Sequence, residues 1–279
     1  MADASSTQMD QVPNFETTQF TFDGKTRDVF RRGAGPAVIV IHEVPGITPQ
    51  VAAFATRVAD AGFTVYLPHL FGVPMKPVSM GYIAATFARC CISREFRVLA
   101  AHASSPIVDW LRALASEAHS RCGGPGVGAV GMCLTGNFAL AMMLDSPMLA
   151  PVLSQPSLPL PITSERKKAL HLSAAELAAA HRKIEEQKAR ILGLRFHQDP
   201  ACPPQRFETL RQEFGSTFEG IEIDPKYANP AAAKPAHSVL TNHLIDEAGK
   251  PTRAALDRTI AFLREQLMPA SAASNPPVA

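Results

Sequence analysis

The sequence carries little net charge and no long apolar run, and these absences exclude several classes of protein. Its 27 Lys and Arg residues are balanced by 25 Asp and Glu residues, for a formal net charge of +2. Such a charge indicates neither a nucleic-acid nor a membrane-surface partner. No uninterrupted apolar stretch reaches the roughly 18 residues that cross a bilayer. Residues 1–15 lack the basic start and apolar stretch of a signal peptide. We therefore expect no nucleic-acid partner, no membrane partner and a cytoplasmic location.

Cysteine is scarce and irregularly spaced. The five residues are Cys90, Cys91, Cys122, Cys133 and Cys202. They form no CxxC pair of the kind that holds zinc, and an odd number does not fit a closed disulfide framework. A GxGxxG turn after a strand, which would indicate a dinucleotide cofactor, is also missing. The sequence thus predicts free thiols, no metal and no cofactor.

What the chain does have is material for a large core, with 46% hydrophobic and 19% charged residues. Short β-branched runs alternate with helical patterns, which is typical of a parallel sheet covered by helices. The predicted strands are 37–41, 63–67, 126–130, 148–153, 191–196 and 218–223. The predicted helices are 48–61, 94–118, 135–144, 173–190, 203–214 and 253–267, and the segment 71–93 is predicted to be irregular. We expect a single doubly wound, mostly parallel α/β sheet flanked by helices.

Both ends of the chain are poor in pattern. Residues 1–14 are predicted to be a flexible N-terminal segment, and residues 269–279 a disordered tail of Pro, Ala and Ser. Residues 15–268 then hold the whole α/β domain. The sequence leaves the oligomeric state open.

A candidate nucleophile stands where a predicted strand turns into a helix. In the run Gly131-Met-Cys133-Leu134-Thr135-Gly136, the cysteine comes two residues after a glycine. At such a nucleophile elbow the side chain projects above the carboxyl edge of the sheet, and the helix N-terminus favours a thiolate. The backbone N–H of Leu134 is then a candidate oxyanion donor. Thr135 departs from the G-x-[SC]-x-G pattern, since glycine follows one residue later. A buried, inert cysteine is the alternative interpretation.

Four segments occur at strand ends or before the last helix: Val38-Ile-Val-Ile-His-Glu-Val-Pro-Gly46, Gly131-Met-Cys-Leu134, Phe196-His-Gln-Asp199 and Ala236-His-Ser238. In this order they resemble the dienelactone hydrolases, cysteine-dependent members of the α/β-hydrolase fold. The resemblance covers roughly residues 20–267. It implies an α/β-hydrolase fold and the hydrolysis of a small ester or lactone substrate by a Cys-His-Asp triad.

The triad order of nucleophile, acid and histidine points to Asp199 and His237. Asp199 follows a predicted strand, so its carboxylate should lie at the sheet edge that carries Cys133. An Asx turn or helix N-cap is the alternative role for this aspartate. For the base, His237 and His243 both follow the last strand, and His237 is preferred because its Ala-His-Ser segment is like that of the family. A neutral imidazole there would take the thiol proton while the aspartate fixes its tautomer.

Glu43 ends the first central strand at the same edge. In the family, a glutamate at this place contacts the resting cysteine and exchanges partners when substrate arrives. A carboxylate beside a thiol disfavours the thiolate by like-charge repulsion. The resemblance also implies that Val44 supplies the second oxyanion N–H. A solvent-facing loop acid is the alternative for Glu43.

The family's reference substrates carry a carboxylate, which requires a cation. Arg94 is the preferred anchor, with Arg89 and Arg97 as alternatives, although arginines commonly just cover a helix surface. The family's second arginine, four residues beyond the histidine, falls on Thr241, so the resemblance does not extend to that anchor. Two other functions remain open: a thiol-dependent acyl transferase that uses Cys133, and a catalytically silent α/β-hydrolase that serves as a binding or regulatory module.

Overall fold

The computed structural model describes residues 11–268. The predicted tail 269–279 lies outside this range, as does the predicted flexible segment 1–14 except for its last four residues. Among those four, Val12 is only 1% exposed and packs into the core. Within the described range, none of the helices has both the length and the apolar character needed to cross a membrane.

In the described part of the chain, eight strands form one sheet. They are β1 (Glu16–Phe22), β2 (Lys25–Arg32), β3 (Ala37–Ile41), β4 (Thr64–Pro68), β5 (Val127–Met132), β6 (Met148–Ser154), β7 (Ile191–Phe196) and β8 (Phe218–Ile223). Their spatial order is β1-β2-β4-β3-β5-β6-β7-β8. β1 and β2 run antiparallel to their neighbours, and β3 to β8 are parallel. The prediction of a mostly parallel α/β sheet is confirmed.

Helices connect the parallel strands and cover the sheet. Within residues 11–268 they are α1 (Pro49–Asp60), α2 (Met80–Ile92), α3 (Ile107–Cys122), α4 (Phe138–Ala141), α5 (Ser164–Lys168), α6 (Ala174–Gln187), α7 (Pro204–Phe214) and α8 (Pro251–Leu267). The ends of these helices follow ordinary capping chemistry. For example, Ser173 and Glu176 form a reciprocal capping box at the start of α6.

The centre of the sheet explains where the functional residues meet. All five residues of β3 are fully buried, as expected of a strand covered on both faces. β3 pairs in parallel with β4 and with β5, so that Ile39 lies opposite Tyr66 and Ala129. Because the carboxyl ends of parallel strands meet at one edge, the residues that follow β3, β5 and β7 come together there.

Two local predictions were wrong, and the N-terminal β1–β2 hairpin was not predicted at all. The segment 71–93, expected to be irregular, contains α2, because its Pro and Gly residues lie mostly before the N-cap Ser79, whose hydroxyl accepts from Tyr82 N at 3.3 Å. The helix predicted at 94–118 begins only at Ile107. Residues 93–106 form turns instead, and the Ser105 hydroxyl accepts there from the backbone N–H of Arg97 at 3.2 Å.

Candidate active site

Cys133 occupies a strained turn at the end of β5. β5 ends at Met132, and Cys133 opens a single 3₁₀ turn that leads towards α4. Its φ angle is +56°, in the left-handed region that a non-glycine residue rarely adopts. Cys133 is half-buried. A Cβ added at Gly131 would collide with the carbonyl oxygen of Thr135, so glycine is required there. These features match the predicted nucleophile elbow.

The departure at Thr135 has a structural reason. Thr135 is fully buried, and its hydroxyl accepts from Met132 N at 3.0 Å while lying 3.0 Å from the Ile41 carbonyl oxygen. This hydroxyl ties the turn to the end of β3. The glycine expected at position 135 stands one residue later, at Gly136. There the backbone passes so close to Pro156 that an added Cβ would collide with the Cα of that proline. The elbow therefore keeps its required glycine, displaced by one position.

Asp199 and His237 come together as a hydrogen-bonded pair. The Nδ1 of His237 donates to the Oδ2 of Asp199 at 2.7 Å. The side chain of Asp199 is 1% exposed and that of His237 is 19% exposed. The other carboxylate oxygen of Asp199 accepts from Ala201 N at 2.9 Å, which is the Asx turn named as the alternative. The Asx turn and the predicted triad role are compatible, because the two hydrogen bonds use different oxygens of Asp199.

The electrostatics of His237 depend on its two partners. Burial acts to lower the pKa of this histidine, but the Cys133 sulfur and the hydrogen bond to Asp199 outweigh it. The pKa of His237 is consequently raised well above its usual value. Cys133 and Asp199 therefore act on the imidazole in the same direction. These surroundings favour the protonated imidazole of His237.

His243, the second histidine candidate, faces away from this pair. It is 7% exposed, and its Nδ1 accepts from Ser238 N at 3.1 Å. Its Nε2 donates to the carbonyl oxygen of Ala233 at 2.7 Å. Burial lowers the pKa of His243, which keeps it neutral. Its position suits a role in holding the loop that carries His237.

Glu43 lies at the same edge but is engaged by other groups. Its carboxylate accepts from the Ser238 hydroxyl at 2.7 Å, from the Gln155 amide at 3.2 Å and from the Thr241 hydroxyl. Glu43 is 1% exposed, so it is not a solvent-facing acid. The expected contact with the resting cysteine is not among its hydrogen bonds in residues 11–268. Thr241, where the resemblance led us to look for an arginine, instead places a hydroxyl on Glu43.

Three other predicted site residues have less defined surroundings. Leu134 follows the cysteine in the 3₁₀ turn and is buried, and Val44 follows Glu43 and is half-buried. Their backbone N–H groups are on the turns that meet at this edge. Arg94 is exposed and makes no side-chain hydrogen bond or ion pair within residues 11–268. Its role as a substrate anchor stays a prediction.

Sequence reasoning missed Gln155 and Ser238. Gln155 follows β6 with a φ of +35°. It links Glu43 to the loop that carries His237 (the histidine loop), since its Oε1 accepts from Val239 N at 3.2 Å. Ser238 was noted only as a neighbour of His237. No local pattern distinguishes this glutamine, because the two groups that it links, Glu43 and Val239, are 112 and 84 positions away in the chain.

The described residues hold no candidate metal site, and a cavity lies beside His243. Among residues 11–268, no three or more His, Cys, Asp or Glu side chains are grouped so as to hold a metal ion. A cavity of about 670 Å³ opens behind the histidine loop and is lined by residues including Lys226, Ala236 and His243. Cys133 is not among the residues that line it.

Comparison with known proteins places this geometry in context. The model of the dienelactone hydrolase family matches residues 27–225. No curated protein matches the sequence. A solved structure assigned as a dienelactone hydrolase from Klebsiella pneumoniae is 18% identical, with a TM-score of 0.61, and the alignment covers 90% of this chain and 98% of that one.

Three further structures resemble the fold. A dienelactone hydrolase-like promiscuous phosphotriesterase from metagenomic libraries is 17% identical, with a TM-score of 0.56 and coverage of 91% and 98%. A dienelactone hydrolase from Anabaena variabilis is 14% identical, with a TM-score of 0.54 and coverage of 92% and 100%. A homologue of α/β serine hydrolases from Coxiella burnetii is also similar, at 10% identity and a TM-score of 0.51. At these identities the structural likeness concerns the fold.

Proposed function

The chain belongs to the dienelactone hydrolase family, and we propose that it hydrolyses small carboxylic esters or lactones through a triad of Cys133, His237 and Asp199. The observation that supports this most is the pairing of His237 with Asp199 at 2.7 Å, together with a left-handed turn at Cys133. A thiol, a histidine and a buried acid in sequence are what acyl transfer to a cysteine requires.

The proposed reaction has two steps, acylation of Cys133 and hydrolysis of the thioester. In the first, the Cys133 thiolate attacks the ester carbonyl carbon, and His237 gives its Nε2 proton to the leaving alkoxide as the C–O bond breaks. In the second, His237 takes a proton from water, the hydroxide adds to the thioester, and the thiolate leaves with the carboxylic acid as product. For a lactone, both products are parts of one molecule. Asp199 keeps the Nδ1 proton in place throughout.

Charge that develops on the carbonyl oxygen needs two donors. We propose the backbone N–H groups of Leu134 and Val44, which follow the ends of β5 and β3 respectively. Removing one such donor typically costs about 10²- to 10³-fold in turnover. Arg94 is proposed to bind a substrate carboxylate, and Glu43 to act through its hydrogen bonds to Ser238 and Thr241, which hold the histidine loop.

The test replaces the nucleophile. Cys133→Ala should abolish hydrolysis of small p-nitrophenyl esters and lactones, and should remove stoichiometric labelling by iodoacetamide at neutral pH. Cys122→Ala is the matched control, because Cys122 is also a half-buried free thiol but lies at the end of α3 beside Tyr66. It should keep full activity. An alanine variant at position 133 with wild-type activity would refute the proposal.

The same assay separates the alternative functions. With added thiols or amines as acceptors, an acyl transferase yields thioesters or amides in place of the acid. A silent binding module yields no product and no ester-dependent protection of the thiol from labelling. The structure lends the silent alternative less support than the sequence did, because the irregular elbow at Thr135 is well packed and hydrogen-bonded.

A further inference from the structure

Helix α2 leaves an apolar face uncovered. Of its 13 residues only Thr86 and Cys90 are buried. The opposite side carries Met80, which is 67% exposed, and Ile92, which is 83% exposed. Between them stand mostly alanines, together with Phe87 at 36% exposure. A helix that faces water ordinarily carries charged side chains on its outer side, and this one carries none except Arg89 at the flank.

The exposed apolar area continues beyond the helix. Leu99, which is 45% exposed, follows it in the chain, and Ile162, which is 66% exposed, lies just after Leu160, whose N–H bonds the carbonyl of Val98 at 2.8 Å. Exposed apolar side chains gathered on one part of the surface often mark a binding site. We call the surface formed by Met80, Phe87, Ile92 and Leu99 the α2 face.

The charge around the α2 face is of one sign. From Phe71 to Pro106 the sequence contains four Lys or Arg residues and one acid, Glu95. Glu95 is already bound by Lys25 at 2.8 Å and by Arg27 at 2.6 Å. The exposed arginines are Arg89, Arg94 and Arg97, and within residues 11–268 their side chains have no hydrogen-bonding or ionic partner. The α2 face is therefore apolar at its centre and cationic at its margin.

This combination selects the chemistry of the partner. A second copy of the chain, paired through the same face, would bring two sets of arginines together with no free acid between them. A lipid surface with anionic headgroups satisfies both features, because the apolar side chains enter the acyl boundary while the arginines contact phosphate. We propose that the α2 face docks peripherally on an anionic lipid surface.

The location of α2 gives such docking a consequence. Phe71 precedes α2 in the chain and Phe96 follows it. Their rings belong to a row in the order His42, Phe71, Phe96 and Phe138, in which successive ring centroids are 4.4, 5.5 and 6.3 Å apart. At one end of the row, His42 directly follows β3. At the other end, Phe138 begins α4, the helix after the Cys133 turn. Lipid docking would thus bring membrane-dissolved esters to the edge of the sheet where Cys133 lies. The docking itself does not depend on the proposed hydrolysis.

Neither the net charge nor the length of the apolar runs reveals this surface. Net charge averages over the whole chain, and a search for long apolar runs finds spanning helices only. A 13-residue helix that lies on a membrane escapes both. The expectation of no membrane partner is therefore the one that this proposal replaces.

The test uses the full chain and vesicle sedimentation. Vesicles of phosphatidylcholine mixed with phosphatidylglycerol should bind the protein, vesicles of phosphatidylcholine alone should bind it much less, and added salt should release it. Ile92→Asp should lower partitioning at least ~10-fold, because a charge replaces the most exposed apolar side chain of the face. Arg89→Gln and Arg97→Gln should each lower it about five-fold, on anionic vesicles only.

Controls separate docking from folding and from catalysis. Phe22→Asp changes an equally apolar, 41% exposed residue on β1 and should leave binding unchanged. Ile92→Asp should retain its melting temperature and its activity on a water-soluble ester. Equal binding to both kinds of vesicle, or wild-type binding by Ile92→Asp, would overturn the proposal. So would a dimer in sedimentation velocity that Ile92→Asp dissociates, since that result would assign the α2 face to a second copy.

Discussion

The hydrogen bond between Asp199 and His237 allows a sharp test of the triad. Asp199→Asn keeps an oxygen for the bond from Ala201 N, so the loop after β7 should fold as before. The new amide N–H₂ group would face the Nδ1 of His237, however, where the carboxylate now accepts at 2.7 Å. The imidazole would then carry its proton on Nε2, towards Cys133, and could no longer accept the thiol proton.

The size of the effect follows from the contact that is lost. A hydrogen bond to a charged group contributes about 1.5–3 kcal/mol, and its loss should lower the pKa of His237, because this bond is one of the causes that raise it. The pKa of this histidine is raised in the native protein, so its proton is present at low pH and is lost as the pH rises through the raised value. The alkaline limb of kcat/KM should therefore move to lower pH in the variant. With the wrong tautomer added, we expect kcat to fall by roughly 10²- to 10⁴-fold.

The assay is a pH profile of kcat/KM for a small ester, with the pH dependence of Cys133 alkylation measured in parallel. Asp224→Asn is the matched control, because Asp224 also follows a strand and caps a backbone N–H, that of Lys226, but is exposed. It should leave both profiles unchanged. If Asp199→Asn leaves the alkaline limb where it is in the wild type, then Asp199 does not set the charge of His237, and the assignment of the acid fails.

Three further outcomes are expected. His237→Ala should reduce kcat at least ~10²-fold, whereas His243→Ala, which loses the bonds to Ser238 N and the Ala233 carbonyl, should reduce it only roughly 5- to 10-fold; the reverse order would exchange their roles. Gly136→Ala should lower the free energy of unfolding by about 1–3 kcal/mol in urea titrations because of the collision with Pro156, while Gly81→Ala, with open space around it on α2, should raise it by about 0.5–1 kcal/mol. A carboxylate-bearing lactone should be preferred over its methyl ester by about 10- to 10²-fold, and Arg94→Ala should remove this preference; survival of the preference would point to another cation.

The fold was predictable where local pattern and global environment agree. β3 is apolar at every position and is buried on both faces, so its sequence alone indicates a central strand. α2 was missed for the opposite reason. Its sequence is apolar on nearly all sides and follows a segment rich in Pro and Gly, so it lacks the polar outer face by which a surface helix is recognised. The lack of a polar outer face, which made this helix hard to predict, is also what makes its exposed side unusual.

The site divides in the same way. Cys133 and Asp199 closely follow the ends of β5 and β7, and a strand end can be located from a short run of sequence. The groups that hold them cannot, since they join distant parts of the chain. The hydrogen bonds of Glu43 to Gln155, Ser238 and Thr241 span 112, 195 and 198 positions. Only the folded sheet brings these residues to one point.

These hydrogen bonds bear on whether Glu43 can exchange partners, as the resemblance to the family implies. If the carboxylate swung towards Cys133, the Ser238 and Thr241 hydroxyls and the Gln155 amide would each be left buried without their acceptor. An unsatisfied buried polar group costs about 1–3 kcal/mol, so the movement would cost about 3–9 kcal/mol unless substrate or water replaced the carboxylate. At 1.36 kcal/mol for each tenfold change in rate, such a cost would slow turnover by at least roughly 10²-fold. We therefore infer that in this chain Glu43 remains with the histidine loop, and that the imidazole of His237, rather than movement of an acid, controls the charge of the thiol.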